Sequence, residues 1–317
     1  MRSLLHAGYR AQGGARPVPD GGIGLVRGRR VAFVGALLAL SGNPGAPPQV
    51  VPAPVLDRYD FSPGTGLRWE LPWALEEVSG LAVTPDGRLF AHDDERAVIY
   101  QIAPETGGVV KAFSVGYRGL PGDFEGIAVA RGRFALVTSS GQIVEFLEGE
   151  GGSVVDYRVH STRLGRFCEI EGLAYDAAAD EFLLPCKVTR AWDLRGHLVV
   201  ISVPLKTMRP YLVPRVFLPL EALREHGLDP SFHPSAIEVL PEDGTLILAA
   251  AREGALVELT SQGRLLAARS LSLRDHPQTE GLTFLPDGTL VLADEGRGSR
   301  GRLTLYPPVK SPEGGRP

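Results

Sequence analysis

The sequence predicts an all-β fold, a five-bladed β-propeller whose ring is closed by an N-terminal strand in the last blade. Three observations carry this. A short motif recurs: Phe124–Ala128 reads FEGIA, Ile170–Ala174 IEGLA and Thr279–Thr283 TEGLT, with weaker copies at Val78–Ala82 (VSGLA) and Pro234–Glu238 (PSAIE). Aligning Gly80, Gly126, Gly172, Ala236 and Gly281 gives steps of 46, 46, 64 and 45 residues by subtraction. Each copy opens a short apolar strand, a turn and a second apolar strand without helical periodicity. A repeat of roughly 40–50 residues built from strands is the signature of propeller blades.

The 317 residues suffice for one large all-β domain, and 44% hydrophobic content can fill its core. A net charge of -4 gives no reason to expect a nucleic-acid partner. Residues 1–24 are rich in Gly, Arg and Pro and read as a disordered extension or as sequence upstream of the true start. Residues 25–46 hold a basic cluster, Arg27–Arg30, an uncharged apolar run, Val31–Leu40, and then small residues. That layout predicts a secretory signal peptide, and hence export to the periplasm or the extracellular space. The alternatives are a buried strand or an unstructured tail. The run is too short for a comfortable membrane span, so no span is expected in the mature chain, which is expected to be a monomer. Residues 47–54 read as a Pro-rich linker, 55–309 as one propeller domain and 310–317 as a frayed polar tail.

Within the propeller, Val55–Phe61 alternates apolar and polar residues and is expected to supply the missing outer strand of the last blade. Leu67–Leu71 is a further strand. Thr84-Pro85-Asp86-Gly87 and Leu285-Pro286-Asp287-Gly288 are hairpin turns, with Pro presetting φ and Gly supplying positive φ. Blade three carries the extra length, around Thr189–Gly196 and Pro219–Phe232, with one short helix at Leu220–His226. The two cysteines, Cys168 and Cys186, flank one hairpin and fall nearly opposite each other. This spacing fits a disulfide in an oxidising compartment, or two buried small hydrophobes.

The chemistry sits in the repeat. The residue before the glycine is Glu125, Glu171 and Glu280 in three blades, and Ser79 and Ser235 in the other two. Equivalent positions of a propeller form a ring, so these side chains converge on the axis or its mouth. Two carboxylates about 6 Å apart repel by roughly 3 kcal/mol at an effective dielectric near 20. Three such pairs would cost on the order of 8 kcal/mol, comparable to a domain's net stability. The ring therefore needs a cation, a basic side chain or protonation. An oxygen-only donor set suits calcium before magnesium, and zinc poorly. The competing readings are neutralisation by Lys187 or Arg252, and plain exposed strand-end residues.

A second acidic set, Asp93, Asp94, Asp294 and Glu295, follows the second strands of blades one and five. These residues can add ligands or be solvated loop residues. His92, His233 and His276 lie at strand ends, where lone histidines are usually solvated or packed. No nucleophile elbow, P-loop or zinc-protease motif is present, and no catalytic residue can be named.

The ordered segments VSGLAVTPDGRLF, DFEGIAV, IEGLAYD, HPSAIEVLPEDGTLILAA and QTEGLTFLPDGTLVLADEG resemble the SdiA-regulated, YjiK-like family over roughly residues 73–306. The resemblance implies a five-bladed propeller related to NHL-repeat proteins, a bound calcium ion and an exported or envelope location without an established activity. The family's acidic pre-glycine pattern maps onto Glu125, Glu171 and Glu280. The chain departs from it at Ser140, Lys187 and Arg252, where an acidic residue is often found. Phytase-like esterase propellers share the EGLA-type motif but tend to be longer. Two functions follow as expectations. One is an exported calcium-binding module holding a small-molecule or protein ligand on one face. The other is a metal-dependent hydrolase of the phytase-like esterase or lactonase type.

Overall fold

The computed structural model describes residues 53–309. The expected extension, the signal segment, most of the linker and the tail lie outside the described residues. Five sheets stand around one axis, each built from antiparallel strands running outward from the centre, with the two-residue strand Val154–Val155 added in parallel at the outer edge of blade one. The innermost strands are Val78–Val83, Phe124–Ala130, Ala174–Asp176, Ala236–Val239 and Thr279–Phe284. Each contacts the next, and the last contacts the first, so the ring is closed.

Every blade is covered on both faces, and this explains the sequence of its middle strands. Leu246–Ala250 and Leu290–Asp294 are buried throughout and read as near-continuous apolar runs. Between each pair of neighbouring blades lies a hydrophobic core. Phe90 and Ile99 meet Phe134 and Val144 between blades one and two. Leu81 and Leu89 meet Val291 and Leu303 where blade five returns to blade one.

The ring is closed by an N-terminal strand in blade five, as expected, but by a different segment. Leu67–Glu70 pairs antiparallel with Arg302–Tyr306, with Leu67 opposite Leu305 and Glu70 opposite Arg302. Val55–Arg58 is instead a 3-10 turn. Its buried residues, Val55, Leu56 and Tyr59, follow a helical spacing, and they fill the core between blades four and five. Glu258 accepts hydrogen bonds from both the Val55 and Leu56 amides at 2.8 Å, which fixes the turn. Closure leaves the propeller without the open edge that would pair with another chain.

Blade three holds the extra length. Its inner strand is broken into Cys168–Ile170 and Ala174–Asp176, both paired with Glu181–Thr189. The short helix at Leu220–His226 is a 3-10 helix, stopped by Gly227 at φ +76°. Cys168 and Cys186 form a disulfide with their Cα atoms 5.5 Å apart. Both are buried, and the bond ties the broken inner strand to its neighbour.

A cross-link over this separation stabilises by about 3 kcal/mol in the chain-entropy account. Reduction with a strong dithiol, or the Cys168→Ser/Cys186→Ser pair, should lower the thermal midpoint by several degrees. An unchanged midpoint by calorimetry would show that the bond does not constrain the unfolded chain.

Candidate functional site

The recurring motif has a structural cause. In blades one, two and five the ladder between the first two strands slips one residue, between Val78 and Gly80, Phe124 and Gly126, and Thr279 and Gly281. The residue skipped is the one before the glycine: Ser79, Glu125 or Glu280. A bulge leaves its extra residue unpaired and re-aims its side chain. The glycine is needed because the inner strands crowd the axis. A Cβ at Gly126 would lie 2.5 Å from the Leu173 nitrogen and 2.7 Å from the Gly172 carbonyl carbon. The cavity lined by Ser79, Glu125, Glu280 and these glycines measures only about 10 Å³, about one water. The axis is therefore nearly sealed.

The ring is an ionic network. Lys187 reaches in from the second strand of blade three and pairs with Glu171 at 3.0 Å. Burial lowers the Lys187 ammonium, but Glu171, Glu280 and Glu125 outweigh it and raise it overall. Burial and the adjacent Glu171 push the Glu125 carboxyl well up, and burial raises Glu171 while Lys187 pulls it down. Ser79 Oγ stands 3.5 Å from Glu125. Ser235 is committed to backbone, donating to the Thr279 carbonyl at 2.6 Å and accepting from the Ala251 amide. Glu280 is 8% exposed, and the Gln278 side chain is its nearest hydrogen-bond donor. Burial pushes it up to about 8, with Lys187 pulling it down and Glu171 and Glu295 pushing it further. Arg252 is exposed and forms no ion pair among the described residues.

A second tier lies at the same end, three residues before each glycine: Glu77, Asp123, Glu169, His233 and Gln278. Sequence reasoning passed over this position, although the repeat alignment marks it. In four blades the residue meets a complementary group from the end of the second strand or the loop after it. Asp123 accepts from the Ser139 hydroxyl. Glu169 pairs with Arg190 at 3.4 Å. His233 meets Glu253 at 2.7 Å. The Gln278 amide donates to Glu295. Blade one breaks the rule. Glu77 faces two more carboxylates, Asp93 and Asp94, with one oxygen of each lying within 4.8 Å of the others. One Asp94 oxygen is buried without any partner. Burial, then Glu77, Asp93 and Glu295, raise Asp94 to about 7, and burial raises Asp93.

The expected acidic face thus divides. Asp93 and Asp94 gather with Glu77, and the field of Glu295 reaches them. Asp294 turns away from the mouth. It is 1% exposed and bound by His276 Nδ1 at 2.8 Å and Thr279 Oγ1 at 3.1 Å. His276 Nε2 in turn meets the Tyr306 hydroxyl at 2.7 Å, making a buried joint inside blade five. His92 is also buried, and burial lowers it to about 4, so it is neutral.

Fold and site define the class of protein: a five-bladed β-propeller with an acidic mouth. No protein-family model matches the chain, and no curated protein matches it. Among solved structures it is similar to the glutaminyl cyclase of Myxococcus xanthus, with 13% identity, 76% of this chain and 93% of that chain covered, and a TM-score of 0.52. A luciferin-regenerating enzyme shares 10% identity over 77% of this chain and 96% of that one, at a TM-score of 0.49. The PQQ-bound aldose sugar dehydrogenase of Streptomyces coelicolor shares 13% over 77% and 99%, at 0.47. At these identities the likeness is one of fold. No helix among the described residues is long and apolar enough to cross a membrane.

The raised carboxyls set a direction for pH dependence. Glu280 holds its proton in the fold up to about pH 8, against 4.5 when unfolded. Its contribution is full below about 4.5 and lost as pH rises through about 8. Without divalent ions, denaturant-measured stability should fall between these limits, and Glu280→Gln should flatten the slope. A slope unchanged by that substitution would contradict the assignment.

Proposed function

We propose that this chain is an exported, calcium-binding propeller of the SdiA-regulated, YjiK-like type, serving as a ligand- or partner-binding module of the cell envelope. The observation that carries the cation is the exception in blade one. Four blades pair their second-tier residue with a complementary group, whereas Glu77 meets Asp93 and Asp94. The donor set fits a hard divalent ion, since it is all oxygen and includes a buried Asp94 oxygen without a partner. Glu77, Asp93 and Asp94 would hold the ion. Glu125, Glu171 and Glu280, in the tier below, add little charge to the site, because burial raises Glu125 and Glu280 and Lys187 engages Glu171. The ion would supply charge neutralisation among these three carboxylates of blade one, Glu77, Asp93 and Asp94.

Export is supported by the Cys168–Cys186 disulfide, which suits an oxidising compartment. A binding role is favoured over hydrolysis at the ring because the space among Ser79, Glu125 and Glu280 is only about 10 Å³.

Calorimetry of the full chain with calcium should show one binding event, abolished in Asp93→Asn/Asp94→Asn. Calcium should also raise the thermal midpoint of the wild type. If the wild type takes up no calcium while the Asp93→Asn/Asp94→Asn protein is equally or more stable, the cation reading fails.

A further inference from the structure

The connection between the two outer strands of blade three, residues 205–215, lies at the end opposite the mouth, because it follows Pro204 at the far end of the strand His197–Pro204. It reads LKTMRPYLVPR, with three basic residues and no acid. Its first half is anchored. Leu205 and Met208 pack on the core between blades two and three, and the Leu205 amide donates to the Asp180 carbonyl at 3.1 Å. Its second half is pushed out. The Tyr211 amide donates to the Ser202 carbonyl at 2.9 Å, and the Arg215 amide to the Val200 carbonyl at 2.8 Å. The outer chain takes four steps where its neighbour takes two, so two extra residues are extruded from the sheet edge.

The extruded residues are apolar. Leu212 is 80% exposed and Val213 75%, with Tyr211 at 53% before them. A run of exposed apolar residues held outside the core calls for a function. The neighbouring turn adds three exposed alanines, Ala177, Ala178 and Ala179. The charges beside the tip are one-sided. Lys206 and Arg209 are exposed and form no ion pair among the described residues. The acids of this corner are engaged: Asp180 by Arg131 at 2.7 Å, Asp176 by Arg215 at 2.9 Å, and Glu181 by Arg215 and the Tyr211 hydroxyl. Glu242 and Asp243 belong to the inner turn of blade four, nearer the axis.

Shape and charge select the partner. Three side chains on a convex tip cannot supply the roughly 800 Å² that each side of a stable protein interface buries. A bilayer interface needs no matching surface. It takes up a few apolar side chains, holds Tyr at headgroup level and attracts flanking Lys and Arg when its lipids are anionic. We propose that residues 205–215 are a membrane-surface anchor. Leu212 and Val213 enter an anionic lipid surface, and Lys206 and Arg209 meet its phosphates. One apolar tip with two cations gives weak, reversible attachment. The anchor does not depend on the cation at the mouth, and a test in chelator separates the two.

The test is co-sedimentation of the full chain, in chelator, with vesicles of phosphatidylcholine alone or with one third phosphatidylglycerol. The wild type should sediment with the anionic vesicles and be released by high salt. Leu212→Ser/Val213→Ser and Lys206→Glu/Arg209→Glu should each lower the partition coefficient by about tenfold or more. All four positions are exposed, so neither pair should move the thermal midpoint. Because residues 31–40 are themselves an apolar run, a local readout decides. In Leu212→Trp, the fluorescence added by the new indole should be quenched by brominated lipid. No binding to anionic vesicles, or binding with the added indole unquenched, would overturn the proposal. So would wild-type dimers in ultracentrifugation that Leu212→Ser/Val213→Ser dissolves, which would give the tip to a second copy of this chain.

Discussion

Crowding at the axis governs this molecule. Five inner strands converge until the backbone of one blade stands where a side chain of the next would be. A Cβ at Gly126 would strike Gly172 and Leu173, and one at Gly80 would meet the Gly126 Cα at 3.2 Å. Gly172 also adopts φ +119°, which residues with a side chain rarely do. In blades one, two and five a bulge sets off the residue before the glycine and turns its side chain toward the mouth. The glycine and the acid of the repeated motif are two consequences of one packing problem. The same narrowness leaves only about 10 Å³ among Ser79, Glu125 and Glu280.

Placing carboxylates in that setting raises an electrostatic cost that the fold meets locally. Lys187 takes Glu171, and burial pushes Glu125 well up and Glu280 up to about 8, toward their neutral forms. In the tier above, each of four blades supplies a complementary partner: a hydroxyl, a guanidinium and, for His233 and Gln278, a carboxylate. Blade one supplies only acids, and at a dielectric near 20 a carboxylate pair about 5 Å apart costs roughly 3 kcal/mol. A fold that solves the same problem four ways and leaves the fifth open is the physical ground for proposing a cation there.

The blade count, inner strands, hairpin turns and the site of the cysteine pair were legible because each follows from the repeat period or from alternation. The closing strand was misread because Val55–Phe61 seems to alternate, while its buried side chains follow a turn-like spacing that becomes visible only against blades four and five. Leu67–Glu70 shows too little apolar pattern of its own to be singled out for that role. Asp294 and Glu295 read alike in sequence, yet one faces the core of blade five and the other the mouth, a difference set by strand parity at the end of the ladder. Glu77 was hidden because attention to the motif stopped at its first residue. Its significance emerges only when the five second-tier residues are matched with what they touch.

The mouth end carries the acidic cluster of blade one together with the long connections of blade three, residues 189–196 and 219–232. The central claim, a cation among Glu77, Asp93 and Asp94, is tested most directly by crystals of the full chain grown with terbium, a heavy stand-in for calcium. Anomalous scattering should place one strong peak between those three carboxylates. Absence of a peak there, in crystals that show terbium elsewhere on the surface, would contradict the account.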